Sequence, residues 1–539
     1  MPGPARNMDR LRIFLHDMLT AQIKWKELPW RAPKGQSCDI YRPTPQNIIL
    51  RGTAQLNQSK KILFVHPLGE NWIPGEQNVA RVVNIMAPLG LLSLAAWLDT
   101  YGHQTKIHDC YAFPGDDDKI YSYLREERPD FIGFSTTTSS FLDGIRLATK
   151  AKEILPSVQV VFGGVHISAV RDQLLGDFPV IDFGVVGEGE EVLRELIESN
   201  GVGLRNIAGL IFREQDNVVF NGFRKELIDM DTLPFPAYEK LQDFPGSYCL
   251  PIFSYPKAPN TTVITSRGCP YTCSYCDRSV FQRTYRYNSP EYMMKYLTYL
   301  QQRFNIKHVN IYDDTFTLHR QRVMEFCELK IRSGLKMTFN CAARTEQLDG
   351  SMLEALKKAG CWMISIGIET GDPDLLKKHR SYISNKEMDN PLENIRKTVH
   401  LIKKSGIRVK GLFMLGLPGE TERSIETSMA YVFSLPLDEF NLSKLTPFPG
   451  APMYGDIHNH GTFDENWGIM NAANFTFIPT GFTKELLEER HLEFYRRYFS
   501  RPKVLLNYAT MIWKSPDSWR RFWKDLPTFL SFTRKNRKK

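Results

Sequence analysis

From Lys60 onward the chain alternates short apolar runs with stretches of helical period. KKILFVHP (60–67) is apolar on both faces and ends at a turn, as a strand buried in a parallel sheet must be. Helical periodicity follows at 89–101, then a strand at 104–109, a helix near 118–127 and a strand at 130–135. Further pairs are helix 141–155 with strand 158–162, helix near 169–175 with strand 182–186, and helix 190–199. This order predicts a doubly wound parallel sheet whose ligand site lies at the carboxyl ends of its strands. Residues 206–222 read as a hairpin turning at 215–217, and the Pro-rich stretch 231–259 predicts a domain boundary.

A second alternating block opens with strand 261–265. Strands are predicted at 308–312, 336–341, 363–368, 409–415 and 439–445, with helices between them such as 290–304 and 351–359. Six such units predict a partial (β/α)6 barrel of TIM type, with chemistry at the C-terminal mouth of the strands. An amphipathic helix is expected at 8–26, and 481–539 is helical, aromatic and basic. The expected fold is α/β, divided as 1–58 extension, 59–200 doubly wound sheet, 201–259 hairpin and linker, 260–460 barrel, and 461–539 helical C-terminal extension.

The chain of 539 residues has room for three or four domains at about 150 residues each. With 42% hydrophobic and 24% charged residues it can bury large cores and is not a disordered chain. The net charge of +9 is concentrated, because Arg534–Lys539 alone holds five basic groups. That argues against an extended nucleic-acid-binding surface. Nine cysteines are too few for a disulfide scaffold, so a reducing, cytoplasmic setting is expected. The longest apolar run, 85–98, is too short to span a bilayer.

The sharpest chemical signal is Cys269-Pro-Tyr-Thr-Cys273-Ser-Tyr-Cys276, directly after a strand and behind Arg267-Gly268. Thiolates at this spacing can wrap one iron–sulfur cluster. Three cysteines leave one iron of a 4Fe–4S cluster open to a substrate or cofactor, which makes the site catalytic. Zinc would want a fourth ligand. No histidine lies between 167 and 307, and Cys249 is the only nearby rival.

This loop, after the first strand of a six-unit barrel, resembles the radical S-adenosylmethionine (SAM) superfamily over about 260–450. The resemblance implies that Cys269, Cys273 and Cys276 bind the 4Fe–4S cluster and that its open iron chelates SAM. It places Tyr275, Asp313, Asp314, Arg344, Glu369, Gly416 and Glu420 around SAM. Arg344 suits a carboxylate because its guanidinium can make two parallel hydrogen bonds.

The strand ends of the first block are rich in small residues, which let a large flat ligand approach the backbone. Neither GxGxxG nor GxxxxGK[ST] occurs at the nucleotide-binding position. The order PLGLLSLAAWL (88–98), GFSTTT (133–138), GGVH (163–166) and VGEGE (186–190) resembles the cobalamin-binding domain that precedes the barrel in cobalamin-dependent radical SAM enzymes. Tyr111, Ser135, Thr136, Thr137, Gly163, Gly164, His166, Gly187, Glu188 and Gly189 then surround cobalamin. Many such domains carry DxHxxG, whose histidine ligates cobalt. Here Tyr111 occupies that slot in DCYAFPG (109–115), so no histidine ligand is expected from this loop.

The resemblance implies reductive cleavage of SAM, hydrogen abstraction from an unactivated carbon by the 5′-deoxyadenosyl radical, and methyl transfer from methylcobalamin. The subfamily also contains the anaerobic magnesium-protoporphyrin monomethyl ester cyclase, so radical cyclisation or oxidation is the alternative. A sensor without turnover is the third reading. A small-molecule substrate, a lipid or tetrapyrrole among them, and a flavodoxin or ferredoxin as electron donor follow as expectations. Trp513, Trp519, Phe522 and Trp523, interleaved with lysine and arginine, have the composition of an interfacial helix and point to peripheral membrane contact.

Overall fold

The computed structural model describes residues 59–69, 84–382 and 389–524. The expected helix at 8–26 and the last basic residues lie outside this set. The first sheet has seven strands: β1 (Lys61–His66), β2 (Gln104–Asp109), β3 (Phe131–Ser135), β4 (Gln159–Gly163), β5 (Phe183–Val185), β6 (Leu210–Glu214) and β7 (Asn217–Phe220). Their order is β2-β1-β3-β4-β5-β6-β7. The first five are parallel, and the chain switches direction of travel between β1 and β3. The hairpin β6–β7 turns at Gln215, whose φ is +54°, and adds antiparallel to β5. It therefore completes the sheet instead of standing in the linker.

The helix expected at 169–175 is two shorter ones, Val165–Val170 and Asp172–Asp177. Arg171, with φ +65°, breaks the α-helical path between them. The break brings Leu174 and Leu175 into the core, where both are fully buried.

The second sheet contains β8 (Asn260–Val263), β11 (His308–Ile311), β12 (Thr338–Ala343), β13 (Cys361–Glu369), β14 (Arg408–Leu415) and β15 (Glu439–Lys444), all parallel and in chain order. It is an open half-barrel. A short antiparallel ribbon, β9 (Ser266–Arg267) with β10 (Arg286–Tyr287), brackets the cysteine loop.

Helix Leu89–Thr100 is buried on almost every side, which explains its weak amphipathicity. One continuous apolar core runs from this helix and β1 through Tyr238 and Tyr296 into the barrel. The C-terminal extension closes two gaps. Helix Lys484–Phe499 covers edge strand β15, where the Tyr495 hydroxyl accepts from Leu442 N at 3.2 Å. Trp467 lies between β16 (Gly461–Phe463) and β17 (Phe477–Pro479) and packs on Phe141 of the first domain, centroids 5.7 Å apart.

Candidate active site

The cysteine loop is pinned from several sides. Asp313, at the end of β11, accepts from Thr265 N at 2.6 Å and from Thr265 Oγ1 at 2.7 Å. Arg322, almost fully buried, donates to Thr265 O and Oγ1, both at 2.7 Å. These bonds fix the strand end that launches the loop. Gly268 follows with φ +86°, and a Cβ there would lie 2.2 Å from Thr284 O, so only glycine fits. Beyond it, Ser274 N donates to His379 O at 2.9 Å and Met453 N to Ser274 O at 3.0 Å.

All three loop cysteines are free thiols. Burial raises Cys269 and Cys276 above the ordinary thiol range, and the charge of Cys273 pushes both further up. The three groups thus lie within electrostatic reach of one another, and loading a metal must displace their protons. Among the described residues, no three Cys, His, Asp or Glu side chains converge as ligands of one metal ion would. A cubane cluster instead gives each thiolate its own iron. Cys273 Sγ accepts from Ser381 N at 3.4 Å and from Arg344 Nη1 at 3.7 Å, the kind of outer donors that stabilise a ligating thiolate. This donor set fits a 4Fe–4S cluster.

Around this loop the structure gathers part of the expected SAM set. Arg344 stacks on the Tyr271 ring at 3.7 Å and donates to Ser381 O at 2.6 Å. Glu369 sits at φ +68° with its carboxylate folded toward Gly367 and the Tyr275 hydroxyl. Burial raises its pKa, while Arg380, Arg344 and Tyr275 oppose the rise. Asp314 accepts from Gly268 N, and its pKa is raised by burial and then by Asp313. Two expected contacts have other partners. Asp313 is spent on Thr265, as above. Glu420 is buried and accepts from Gly416 N at 2.5 Å and Leu417 N at 3.2 Å. It closes its own loop, and burial pushes its pKa up to about 8.

A slot of about 200 Å³ opens at the switch between β1 and β3. Ser135, Gly163, Gly164, Gly187, Glu188 and Gly189 line it, together with Leu89, Leu94, Tyr292 and Phe281. Gly164 has φ +96°, and a Cβ there would lie 2.7 Å from Thr136 O. A Cβ on Gly189 would meet Leu94 at 3.1 Å. The slot is largely apolar and walled in part by glycine backbone, which a broad ring such as cobalamin carries can approach closely. The wall that sequence reasoning missed comes from the barrel's own helix and loop, far along the chain.

Four expected cobalamin contacts do not line the slot. Thr136 is buried and donates to Gly163 O at 3.4 Å, and Thr137 caps the 3-10 turn Thr138–Ser140. Tyr111 stacks on His66, centroids 5.6 Å apart. His166 is fully buried, hydrogen-bonded to Thr138 Oγ1 at 3.2 Å and packed on Phe141 and Trp467 at 4.6 Å. A short helix starting at Val165 swings its ring into the core behind the sheet.

The sheet domain is locked to the cysteine loop by buried charge. Arg267 donates to Glu188 Oε2 and to Glu190 Oε1, each at 2.5 Å. Ser93 Oγ donates to Glu190 Oε1 at 2.8 Å, and Arg286 pairs with the other oxygen of Glu188. Arg267 outweighs burial and holds the Glu190 carboxyl below the ordinary carboxylate value. The VGEGE segment therefore offers glycines to the slot and carboxylates to the loop two residues before Cys269.

A doubly wound sheet joined to a half-barrel, with a three-cysteine loop between them, defines a cluster-bearing radical enzyme with an appended cofactor domain. The family model described as the radical SAM superfamily matches residues 263–432, and the B12 binding domain matches 76–197. An uncharacterized methyltransferase of Pyrococcus horikoshii is 30% identical over 453 residues, covering 83% of this chain and 94% of that protein. The anaerobic magnesium-protoporphyrin IX monomethyl ester cyclase of Cereibacter sphaeroides is 26% identical over 477 residues, covering 86% and 73%. The methyltransferase TsrM from Kitasatospora setae, solved with cobalamin and a 4Fe–4S cluster, shares the fold with a TM-score of 0.59 at 19% identity over 75% of each chain. The chain belongs to the cobalamin-binding radical SAM family and is an enzyme whose cofactors are a 4Fe–4S cluster, SAM and cobalamin.

Arg267→Met strands Glu190 as a buried charge. It is expected to cost about 3–5 kcal/mol, measured as a fall in the urea midpoint. Adding Glu190→Leu removes the stranded charge and recovers much of that loss. His166 gives a second test. Burial lowers its pKa from 6.5 to about 4, so the unfolded chain binds the proton first as pH falls. Stability is full above pH 6.5 and drops by about 3 kcal/mol between there and pH 4. His166→Gln is expected to lack that component of the pH profile of urea unfolding.

Proposed function

We propose that this enzyme methylates an unactivated carbon of a small molecule. The observation that carries the reading is the position of the cysteine loop, whose flanking residues border one cavity and whose Gly268 bonds to a residue of the other. Arg267, Val280 and Phe281, which flank the cysteines, line the slot of the sheet domain, and Asp314, bonded to Gly268, lines the barrel lumen. A methyl donor and a radical precursor held at these places face one substrate.

When bound, the cluster supplies an electron through the iron that three thiolates leave open, SAM the radical precursor and methylcobalamin the methyl group. The chain supplies position, which is much of the work in cofactor enzymes. Cys269, Cys273 and Cys276 hold the cluster. Arg344, Tyr275, Glu369 and Asp314 orient SAM at the mouth, with Asp313, Gly416 and Glu420 fixing the loops behind them. Ser135, Gly163, Gly164, Gly187, Glu188 and Gly189 cradle cobalamin, and Tyr111, Thr136, Thr137 and His166 shape those strand ends from behind. The methyltransferase name of the 30% identical relative supports methyl transfer. The cyclase relative supports radical cyclisation or oxidation of a tetrapyrrole as the second reading. A flavodoxin or ferredoxin in a reducing cytoplasm delivers the electron.

The described C-terminal segment supports peripheral membrane contact. Ser515 and Ser518 bond to Tyr255 O, and Phe522 packs on Phe253, which docks the segment on the barrel. Leu506, Ile512, Trp513 and Trp523 remain exposed beside Lys503, Lys514, Arg520 and Lys524. No helix among the described residues is long and apolar enough to cross a membrane.

Two measurements test these statements. Anaerobic turnover with methyl-labelled SAM is expected to give 5′-deoxyadenosine and a product heavier by one methylene. Cys273→Ala is expected to lose both, together with the cluster's visible absorbance. A product that has lost hydrogen and gained no label supports the second reading instead. For the membrane, the full chain is expected to co-sediment with phosphatidylglycerol vesicles, and W513E/W523E to remain in the supernatant. Equal sedimentation of the two proteins overturns the contact.

A further inference from the structure

The interior of a closed TIM barrel is packed with branched apolar side chains. The half-barrel here is lined differently. Side chains of alternate strand residues share a face, and on the lumen face Asn310, Asn340, Ser365, Lys410 and Asn441 stand among apolar groups such as Met363 and Leu412. They border a cavity of about 530 Å³ that reaches Asp314 beside the cysteine loop. Asn310 stands directly across from Asn340, and Ser365 directly across from Lys410.

Asn340 carries the most information. It is 2% exposed, and its Nδ2 donates to Ser254 O at 2.7 Å. Because a carbonyl must face a donor, this bond fixes which end of the amide points where. The Oδ1 atom is left buried, with no donor among the described groups. Asn84, on the same cavity wall, also has a buried Oδ1 without a partner. An amide oxygen left unpaired in a buried site keeps its full desolvation penalty. The fold itself carries that cost, which a ligand O–H or N–H reaching the oxygen would remove and a hydrocarbon would not. On the facing wall, Lys410 lies 3.8 Å from Glu439, whose carboxylate is already shared with Arg408 at 3.2 Å and Ser254 at 3.2 Å. Its ammonium retains donors for an oxygen in the lumen.

We propose that the substrate in this lumen is a small, water-soluble molecule with free hydroxyl or amino groups, which donate to Asn340 while Lys410 donates to a substrate oxygen. It is not a hydrocarbon polycycle lacking such groups. The proposal rests on the radical methyl-transfer reading, which places the substrate in this barrel, and it deepens that reading by naming the substrate's chemistry. A site built to pair with such groups rejects analogues that lack them far more strongly than an apolar pocket rejects a missing methylene.

The test uses the full-length enzyme loaded with cluster and cobalamin, kept anaerobic with methyl-labelled SAM and a reductant. The probes are the water-soluble and chloroform-soluble fractions of a cell extract, each before and after exhaustive acetylation. The readout is 5′-deoxyadenosine formed above the extract-free level. The water-soluble fraction is expected to stimulate it, and acetylation to abolish the stimulation. Reductive methylation, which alters amines alone, separates an amino substrate from a hydroxyl one. Asn340→Leu and Lys410→Met are each expected to raise the apparent KM for the active fraction roughly tenfold or more, with cluster and cobalamin content unchanged. Stimulation by the chloroform-soluble fraction, insensitivity to acetylation, no stimulation by either fraction, or an unchanged KM in Lys410→Met overturns the proposal. Stimulation by an acetylation-sensitive compound that gains no label overturns the methyl-transfer reading and leaves the substrate class standing.

Discussion

Two carboxylates of the sheet domain, Glu188 and Glu190, reach across to one arginine of the barrel, Arg267, and the rest of the site hangs from that contact. Buried ion pairs add little net stability over apolar packing, but they tolerate almost no slippage, because a separated partner is an unpaid buried charge. Here the pair joins the loop that lines the cofactor slot to the residue two places before Cys269. This contact, with Ser93 and Arg286 around it, fixes the slot's loop against the cysteine loop. The continuous apolar core through helix Leu89–Thr100 supplies the cohesion. The charges supply the register.

The two cavities differ in character for a physical reason. The slot in the sheet domain is walled by glycine backbone and apolar side chains, which suits a flat ring that must be gripped over a broad area. The barrel lumen sets amides, a hydroxyl and an ammonium among apolar side chains such as Met363 and Leu412, which suits recognition by a few directional bonds. Between them, the donors to Cys273 Sγ from Ser381 and Arg344 come from the far side of the barrel mouth. The thiolate environment is thus assembled by elements that close over the loop.

Much of this was legible in the chain. Apolar runs separated by helical stretches located the strands of both sheets to within a few residues, because strands such as β1 and β4, buried on both faces, leave a continuous apolar run. The cysteine spacing exposed the cluster loop, and the glycines of GGVH and VGEGE marked the slot. Four strand-end groups show what the chain alone leaves open. Asp313, Glu420, Thr136 and His166 sit at strand ends, where a ligand contact and a satisfied structural group look identical in sequence. What separates them is the partner, and Thr265, Gly416, Gly163 and Thr138 become partners only once the chain folds. The polar lumen was written in the alternation of Asn310, Asn340, Ser365, Lys410 and Asn441, but parity identifies the inner face only when the strand register is known.

The sequence alone determined the local periodicities, and with them the two α/β units, their order and the thiol loop after the second unit's first strand, because these depend on residues close together along the chain. Only the tertiary structure decided which strand-end groups face a ligand and which are spent on the protein, how the hairpin at 210–220 completes the first sheet, and how residues near 90, 190, 267 and 290 come to share one wall. Those outcomes depend on pairings across as many as two hundred residues, where burial and charge compensation decide the winner and local pattern carries no information.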